Sequence, residues 1–297
     1  MKKVLITGSE GFIGGNLKEY FRNKYEIIPY DLRIGWEMDV REKTFLANFV
    51  EKHQPQIIIH LAANVDISKS VVEPAEDLGI NAVGTVNVLE AAKAAKPELV
   101  IFTSTAQIYG EPQSETMDEN HPINPKSPYA ISKYSAEQYC HLYCKKFNVP
   151  AVIFRFFNIY GPGQAPNVVV PSLIDKISKA EKEVEMFGSI DDSRDFIYVK
   201  DLCQAFDLAI DKKPIGEVIN FGSGKEVLII DLAKTIAKLL NKNIDFKYKK
   251  ENIEEAKITK MIANTQKAKN ILNWSVATSL EDGLKETIIK KGFTLNL

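Results

Sequence analysis

Apolar residues in the first two thirds of the chain fall into two recurring patterns. Short unbroken runs, such as Val4-Leu-Ile-Thr7 and Ile57-Ile-Ile-His60, suit strands covered on both faces. Longer stretches between them carry apolar residues at helical spacing. In 41–53 these are Phe45, Leu46, Phe49 and Val50. Strands are therefore expected at 2–7, 25–30, 36–40, 56–61, 99–104, 150–157 and 217–221. Helices are expected at 16–23, 41–53, 74–95, 128–147, 171–180, 201–210 and 230–240. Alternation of the two predicts an α/β fold: a Rossmann-type doubly wound parallel sheet, with helices on both faces.

Past residue 160 the alternation loosens. The turn-rich segment Gly161-Pro-Gly163-Gln164-Ala-Pro166 opens a smaller α/β region, expected to close over the C-terminal edge of the sheet and bind substrate. On this reading residues 1–165 form the doubly wound sheet domain, with segments near 190–225 returning to it. Residues 166–297 then supply most of an interleaved substrate-binding region. The loop 111–127 is too rich in proline for helix, and the mixed charges of 247–260 read as solvated surface.

Composition narrows the function classes. Hydrophobic residues make up 45% and charged residues 26% of the 297, ordinary values for a soluble globular protein. Lys and Arg number 38 against 39 Asp and Glu, a net charge of −1, so neither nucleic acid nor an acidic membrane is an expected partner. No apolar run has membrane-spanning length, and the N-terminus enters the first strand without a signal-peptide cleavage region. Three cysteines, Cys140, Cys144 and Cys203, fit a reducing cytoplasm better than a disulfide framework. Cys140, His141 and Cys144 lack a second ligand pair, so buried helix cysteines are expected and no metal site.

The chemistry begins at Gly8-Ser-Glu-Gly11-Phe-Ile-Gly14, set between a strand and a helix. Glycines so spaced let the backbone turn tightly and bring a pyrophosphate to a helix N-terminus. Asp31, ending the second strand, can hold ribose hydroxyls and repel a 2′-phosphate, which favours NAD; Arg33 could receive such a phosphate, which keeps NADP open. Asp39 is placed either for the adenine amino group or as a plain surface acid. Ala62-Ala63-Asn64 would let a cofactor lie close, and His60 reads as a satisfied core histidine. Tyr129 and Lys133 share a helix face one turn apart. A lysine ammonium beside a phenol favours the phenolate, which could move an alcohol proton; the bland alternative is a lysine stem covering an aromatic ring. Thr103-Ser104-Thr105 ends the strand before it, either facing a ligand or capping the loop.

Taken together, Thr7-Gly8-x-x-Gly11-Phe-Ile-Gly14, His60-Leu-Ala-Ala63, Asn81-x-x-Gly84-Thr85, Ser104-Thr105-x-x-Ile-Tyr109-Gly110, Tyr129-x-x-x-Lys133, Phe156-x-Asn158-x-Tyr160-Gly-Pro-Gly163 and Arg194-Asp195-Phe-Ile-Tyr198-Val199-x-Asp201 resemble the extended short-chain dehydrogenase/reductase family, in its sugar-nucleotide epimerase group. The resemblance implies a tightly held NAD contacted by Gly8, Gly11, Phe12, Ile13, Gly14, Asp31, Asp39, Val40, Leu61, Ala62, Ala63, Asn81, Thr103, Tyr129, Lys133 and Phe156. It implies a nucleotide-diphosphate sugar held by Thr105, Ala106, Gln107, Tyr129, Asn158, Val170 and Arg194. Catalysis would fall to Thr105, Tyr129 and Lys133, with Lys133 binding the nicotinamide ribose and lowering the tyrosine pKa.

Dehydrating relatives carry acids after the catalytic Thr; this chain has Ala106-Gln107, and alanine cannot move a proton. The expectation is therefore 4-epimerisation of a UDP-glucose-like hexose, with NADPH-dependent reduction of a 4-keto nucleotide sugar, or a non-catalytic NAD-binding regulator, as alternatives. Arg194 suits a diphosphate, or else pairs with Asp191, Asp192 or Asp195. No arginine follows it, which puts the UDP assignment in doubt, and Lys257 or Lys260 could substitute. Helices 74–95 and 128–147 are expected to pair across a homodimer, as in the family.

Overall fold

A computed structural model describes residues 1–187, 189–249 and 260–295. Strands β1 (Lys3–Thr7), β2 (Glu26–Tyr30), β3 (Ile57–His60), β4 (Leu99–Thr105), β5 (Ala151–Phe156) and, later in the chain, Val218–Phe221 form one parallel sheet. Its order runs from Val218–Phe221 through β5, β4, β3 and β1 to β2. Both faces are covered, and side chains alternate between them. Val4, Ile6, Ile57, Ile59, Leu99, Ile101, Val152 and Phe154 enter one cluster; Leu5, Ile58, Val100, Phe102, Ala151 and Ile153 enter the other. Helices α1 (Phe12–Phe21), α2 (Lys43–His53), α3 (Ile67–Val72), α4 (Pro74–Leu78), α5 (Gly84–Ala95) and α6 (Pro128–Phe147) fill the connections between β1 and β5.

The smaller region contains β6 (Asn158–Tyr160), α7 (Val169–Lys179), β7 (Glu183–Phe187), β8 (Ser193–Arg194), β9 (Phe196–Tyr198) and α8 (Val199–Lys212). The sheet strand Val218–Phe221 is β10, followed by β11 (Val227–Leu228), α9 (Ile229–Leu239), β12 (Asp245–Lys249), α10 (Gln266–Leu272) and α11 (Leu280–Lys290). A separate core joins α7, β7, β9, α9 and α11 through Leu173, Ile174, Val184, Tyr198, Ile236 and Leu284. No helix among the described residues is long and apolar enough to cross a membrane.

Several expectations need correction. The segment 36–40 is not a strand. Ile34 N–H donates to Asp31 O and Met38 N–H to Gly35 O, so turns consume the donors a ladder would need, and Trp36 is 76% exposed. The helix expected at 16–23 starts at Phe12, with Gly11 as its N-cap. The 74–95 helix is interrupted by a π turn at Gly79–Val83, where Thr85 Oγ1 donates to the Asn81 carbonyl at 2.5 Å and enters the helical ladder. Within 247–260, residues through 249 belong to β12, parallel to β7. Lys247 and Lys249 face solvent and pair with Glu183 and Glu185, while Phe246 and Tyr248 pack inward.

Candidate active site

Strand order reverses between β3 and β1, the place where open parallel sheets bind ligands. There the turn after β1 meets the loop after β3. Gly8 has φ +71°, and a Cβ on it would lie 2.8 Å from Ala62 N. A Cβ on Gly14 would lie 2.4 Å from the Gly8 carbonyl oxygen. Gly11 caps α1 without a side chain, and the first turn, with Phe12, Ile13 and Gly14, contains no acid. Bare N–H groups at a helix start, beside a turn that excludes side chains, fit a dinucleotide pyrophosphate.

The acids expected to hold the adenosine lie along this edge. Asp31 accepts from Glu10 N–H and Arg33 N–H, both at 2.9 Å, and the Arg33 guanidinium donates to the Glu10 carbonyl. Burial would raise the Asp39 carboxyl, but hydrogen bonds and charge from Arg41 outweigh it and hold it below its ordinary range. Val40 is buried beneath them, its carbonyl accepting from Asn87. Past β3, Ala62 N–H donates to Thr7 Oγ1, which lies 2.7 Å from His60 Nδ1; the other His60 nitrogen lies 3.0 Å from Thr85 Oγ1. Since Thr85 donates to the Asn81 carbonyl, it must accept from His60 Nε2–H. The ring is fully partnered, and burial, aided by Lys133, lowers its pKa to about 3, so His60 is neutral.

Tyr129 and Lys133 lie on α6. Ser127 caps that helix through a bond from Ala130 N–H, and Pro128 occupies its first turn. Tyr129 is 8% exposed, and its hydroxyl faces Thr105 at the end of β4. Burial pushes its pKa up to about 12, with the Thr105 hydroxyl opposing and Asp77 helping. Lys133 is 3% exposed, with its ammonium 4.4 Å from the centre of the Phe102 ring. Burial lowers its pKa to about 8, while Cys140, Glu137 and Asp77 oppose the fall. In this arrangement desolvation is the largest influence on the tyrosine, and the Lys133 ammonium faces an aromatic ring.

Around the pair, Thr103 Oγ1 donates to the His60 carbonyl and Leu61 N–H to the Thr7 carbonyl; Ala63 lies in the loop that follows, next to Asn64. Phe156 closes β5, and Ala106 is buried in a short 3-10 turn with Gln107, whose amide reaches Met261 Sδ at 3.9 Å. Asn158 donates to the Asp195 carbonyl. Val170, expected at the substrate, has its side chain in the smaller core and offers a ligand only backbone near the start of α7. Arg194 donates to the Ser193 carbonyl at 2.7 Å; burial lowers its pKa, with Asp192 opposing. Asp195 accepts instead from Ser223, Gly224 and Ala263. Lys260 pairs with Glu226 at 3.0 Å, and Lys257 lies outside the described residues.

Sequence reasoning missed Asp77 and Ser132. Both are buried beside Asn81, and Ser132 Oγ donates to Asp77 Oδ2 at 2.5 Å. The available signal was the four-residue spacing of Asp77 and Asn81, which puts two polar groups on one helix face. None of the groups of His, Cys, Asp and Glu among the described residues could hold a metal ion.

Comparison with known proteins agrees with this geometry. The model of the NAD dependent epimerase/dehydratase family matches residues 4–222. The chain is 32% identical to a putative UDP-glucose 4-epimerase of Methanocaldococcus jannaschii, over 96% of this chain and 97% of that one. The structure of UDP-glucose 4-epimerase with UDP-glucose from Thermotoga maritima superposes with a TM-score of 0.91 at 30% identity, covering 98% of both chains. A dTDP-glucose 4,6-dehydratase from Bacillus anthracis, in complex with NAD, gives 0.83 at 26% identity over 98% of this chain and 97% of that one.

Proposed function

Since the chain belongs to the NAD dependent epimerase/dehydratase family, we propose that it is a nucleotide-sugar 4-epimerase, acting on a hexose of the UDP-glucose/UDP-galactose kind. The observation that carries this reading is the buried Tyr129–Thr105 hydroxyl pair, with Ala106 and Gln107 beside it in place of acids. Tyr129 takes the proton from the sugar's C4 hydroxyl and later returns it, while Thr105 holds that hydroxyl in line. Lys133, one helical turn on, is the cation available to favour the phenolate. Bound NAD supplies the hydride acceptor and donor. Ala106 and Gln107, the residues after Thr105, cannot take the C5 proton, which disfavours dehydration.

In this reading residues 1–165, with segments near 190–225, hold the dinucleotide, and most of 166–297 the nucleotide. Asn158, backbone at Val170 and the Arg194 fork suit a sugar diphosphate. The outer face of α6 leaves Ile131, Tyr139, Leu142 and Phe147 exposed, a surface suited to a second copy of the chain. Three thiols without a disulfide suit a reducing cytoplasm. A second reading, NADPH-dependent reduction of a 4-keto nucleotide sugar, is favoured by Arg33, exposed beside Asp31 where a 2′-phosphate would sit. Protein purified without added cofactor and incubated with UDP-, GDP- and dTDP-hexoses separates the two. C4 inversion with no external NAD(P) supports the epimerase; product only with stoichiometric NADPH oxidation assigns the reductase.

A further inference from the structure

Asp77 is a carboxylate 1% exposed to solvent, and the chemistry described above makes no use of it. Its partners come from three separate elements. Oδ1 accepts from Asn64 Nδ2 at 2.8 Å, in the loop after β3, and from Asn81 Nδ2 at 3.1 Å, in the π turn. Oδ2 accepts from Ser132 Oγ at 2.5 Å, on α6, and that oxygen lies 2.9 Å from the Tyr129 carbonyl. Asn81 completes the knot. Its Oδ1 accepts from Asn64 N–H at 2.9 Å, and its Nδ2 reaches Ser132 Oγ at 3.0 Å. We propose that Asp77 is a positioning residue, whose carboxylate fixes the helix bearing Tyr129 and Lys133 against the cofactor-facing loop and stands behind that pair.

The inference rests on the reading of Tyr129 as the proton carrier. Three apolar side chains could fill the same space, but none could tie an amide, a second amide and a hydroxyl from different elements to one point. A buried charge is costly, and here it is met by hydrogen bonds and by the field of Lys133. The groups facing the pair are Thr105 from β4, neutral His60 from β3, Asp77 from α4, and Glu137 and Cys140 from α6 itself. Among them Asp77 is the one that acts on both members, and it raises both.

Asp77→Asn keeps the shape and removes the charge. Expected is a fall in kcat of about 10-fold or more with little change in KM, and a shift of both limbs of the pH–rate profile to lower pH by about 0.5 unit. Ser132→Ala cuts a tether and keeps the charge, so kcat should fall with both limbs in place. A merely structural role would lower the folded fraction and leave the limbs unmoved. The tyrosinate absorbance that Tyr129→Phe removes gives the same test without turnover, since in Asp77→Asn it should titrate at lower pH. If Tyr129→Phe retains full activity, the catalytic reading fails first. If Tyr129→Phe is inactive while folded Asp77→Asn keeps wild-type kcat and limbs, the role of Asp77 is overturned. Should Asp77→Asn not fold, wild-type kcat in both Ser132→Ala and Asn64→Ala overturns it.

Discussion

Replacing Gly14 by alanine tests whether the turn after β1 is a cradle. The new methyl would sit 2.4 Å from the Gly8 carbonyl oxygen, 2.7 Å from Ser9 Cα and 2.8 Å from the Ser9 carbonyl oxygen. All three are backbone atoms, so no rotamer change can relieve the clash, and the turn itself must retreat. Alanine normally gains about 1 kcal/mol over glycine inside a helix. Overpacking costs about 1–3 kcal/mol, so global stability should fall by about 0–2 kcal/mol. The displaced peptide is the wall of the proposed pyrophosphate site, so binding should bear the overpacking cost directly. A loss of about 1–3 kcal/mol corresponds to a Kd raised roughly 5- to 150-fold. Gly15 is the control on the same helix. A Cβ there meets nothing within 4 Å, so Gly15→Ala should keep its affinity and gain up to about 1 kcal/mol of stability. Calorimetric titration with NAD and urea unfolding read the two quantities. Equal NAD affinity in the two variants would refute the cradle.

Three further outcomes are expected. Tyr129→Phe should abolish sugar turnover and leave NAD affinity within about threefold of wild type, because the ring still fills its buried site; retained turnover would show that another group moves the proton. Glu137→Gln removes the charge that meets Arg155 across two hydrogen bonds of 3.0 and 2.7 Å in the interior, and should cost about 3–5 kcal/mol in urea unfolding; a loss under about 1 kcal/mol would mean that Tyr109 and the Glu119 carbonyl suffice for the guanidinium. His60 lies below its ordinary pKa, so the unfolded chain binds the extra proton between the two values. Its contribution is complete above 6.5 and drains away as pH falls toward about 3, a change on the order of 5 kcal/mol. The stability gap between wild type and His60→Gln should therefore shrink over that window, and a constant gap would contradict a neutral buried His60.

The sheet was legible because strands covered on both faces leave unbroken apolar runs, as in Ile57-Ile-Ile, and glycine spacing marks where backbone must approach backbone. The absent strand at 36–40 shows the limit of such patterns. Trp36, Met38 and Val40 alternate well enough for a strand, yet whether a strand forms is decided by where the backbone donors go, and here turns take them. The β7–β12 pair was hidden for a related reason. Lys247 and Lys249 read as solvated surface, and their partners Glu183 and Glu185 lie more than 60 residues earlier in the chain. At the site, Tyr129, Lys133 and Thr105 carry their chemistry in their identity and spacing. Asp77 does not: an acid in the first turn of a helix also serves the helix dipole. Its role comes from Asn64 and Ser132, which only the folded chain brings to it. Burial likewise escaped the sequence reading, and it is burial that holds Tyr129 high.

The most direct test of the central claim follows the hydrogen on C4. A UDP-hexose carrying deuterium at C4 should yield the C4 epimer with the deuterium still on C4, with no external NAD(P) and with Tyr129→Phe inactive. Deuterium lost to solvent, or solvent hydrogen entering at C5 with loss of water, would contradict reversible oxidation at a single carbinol carbon.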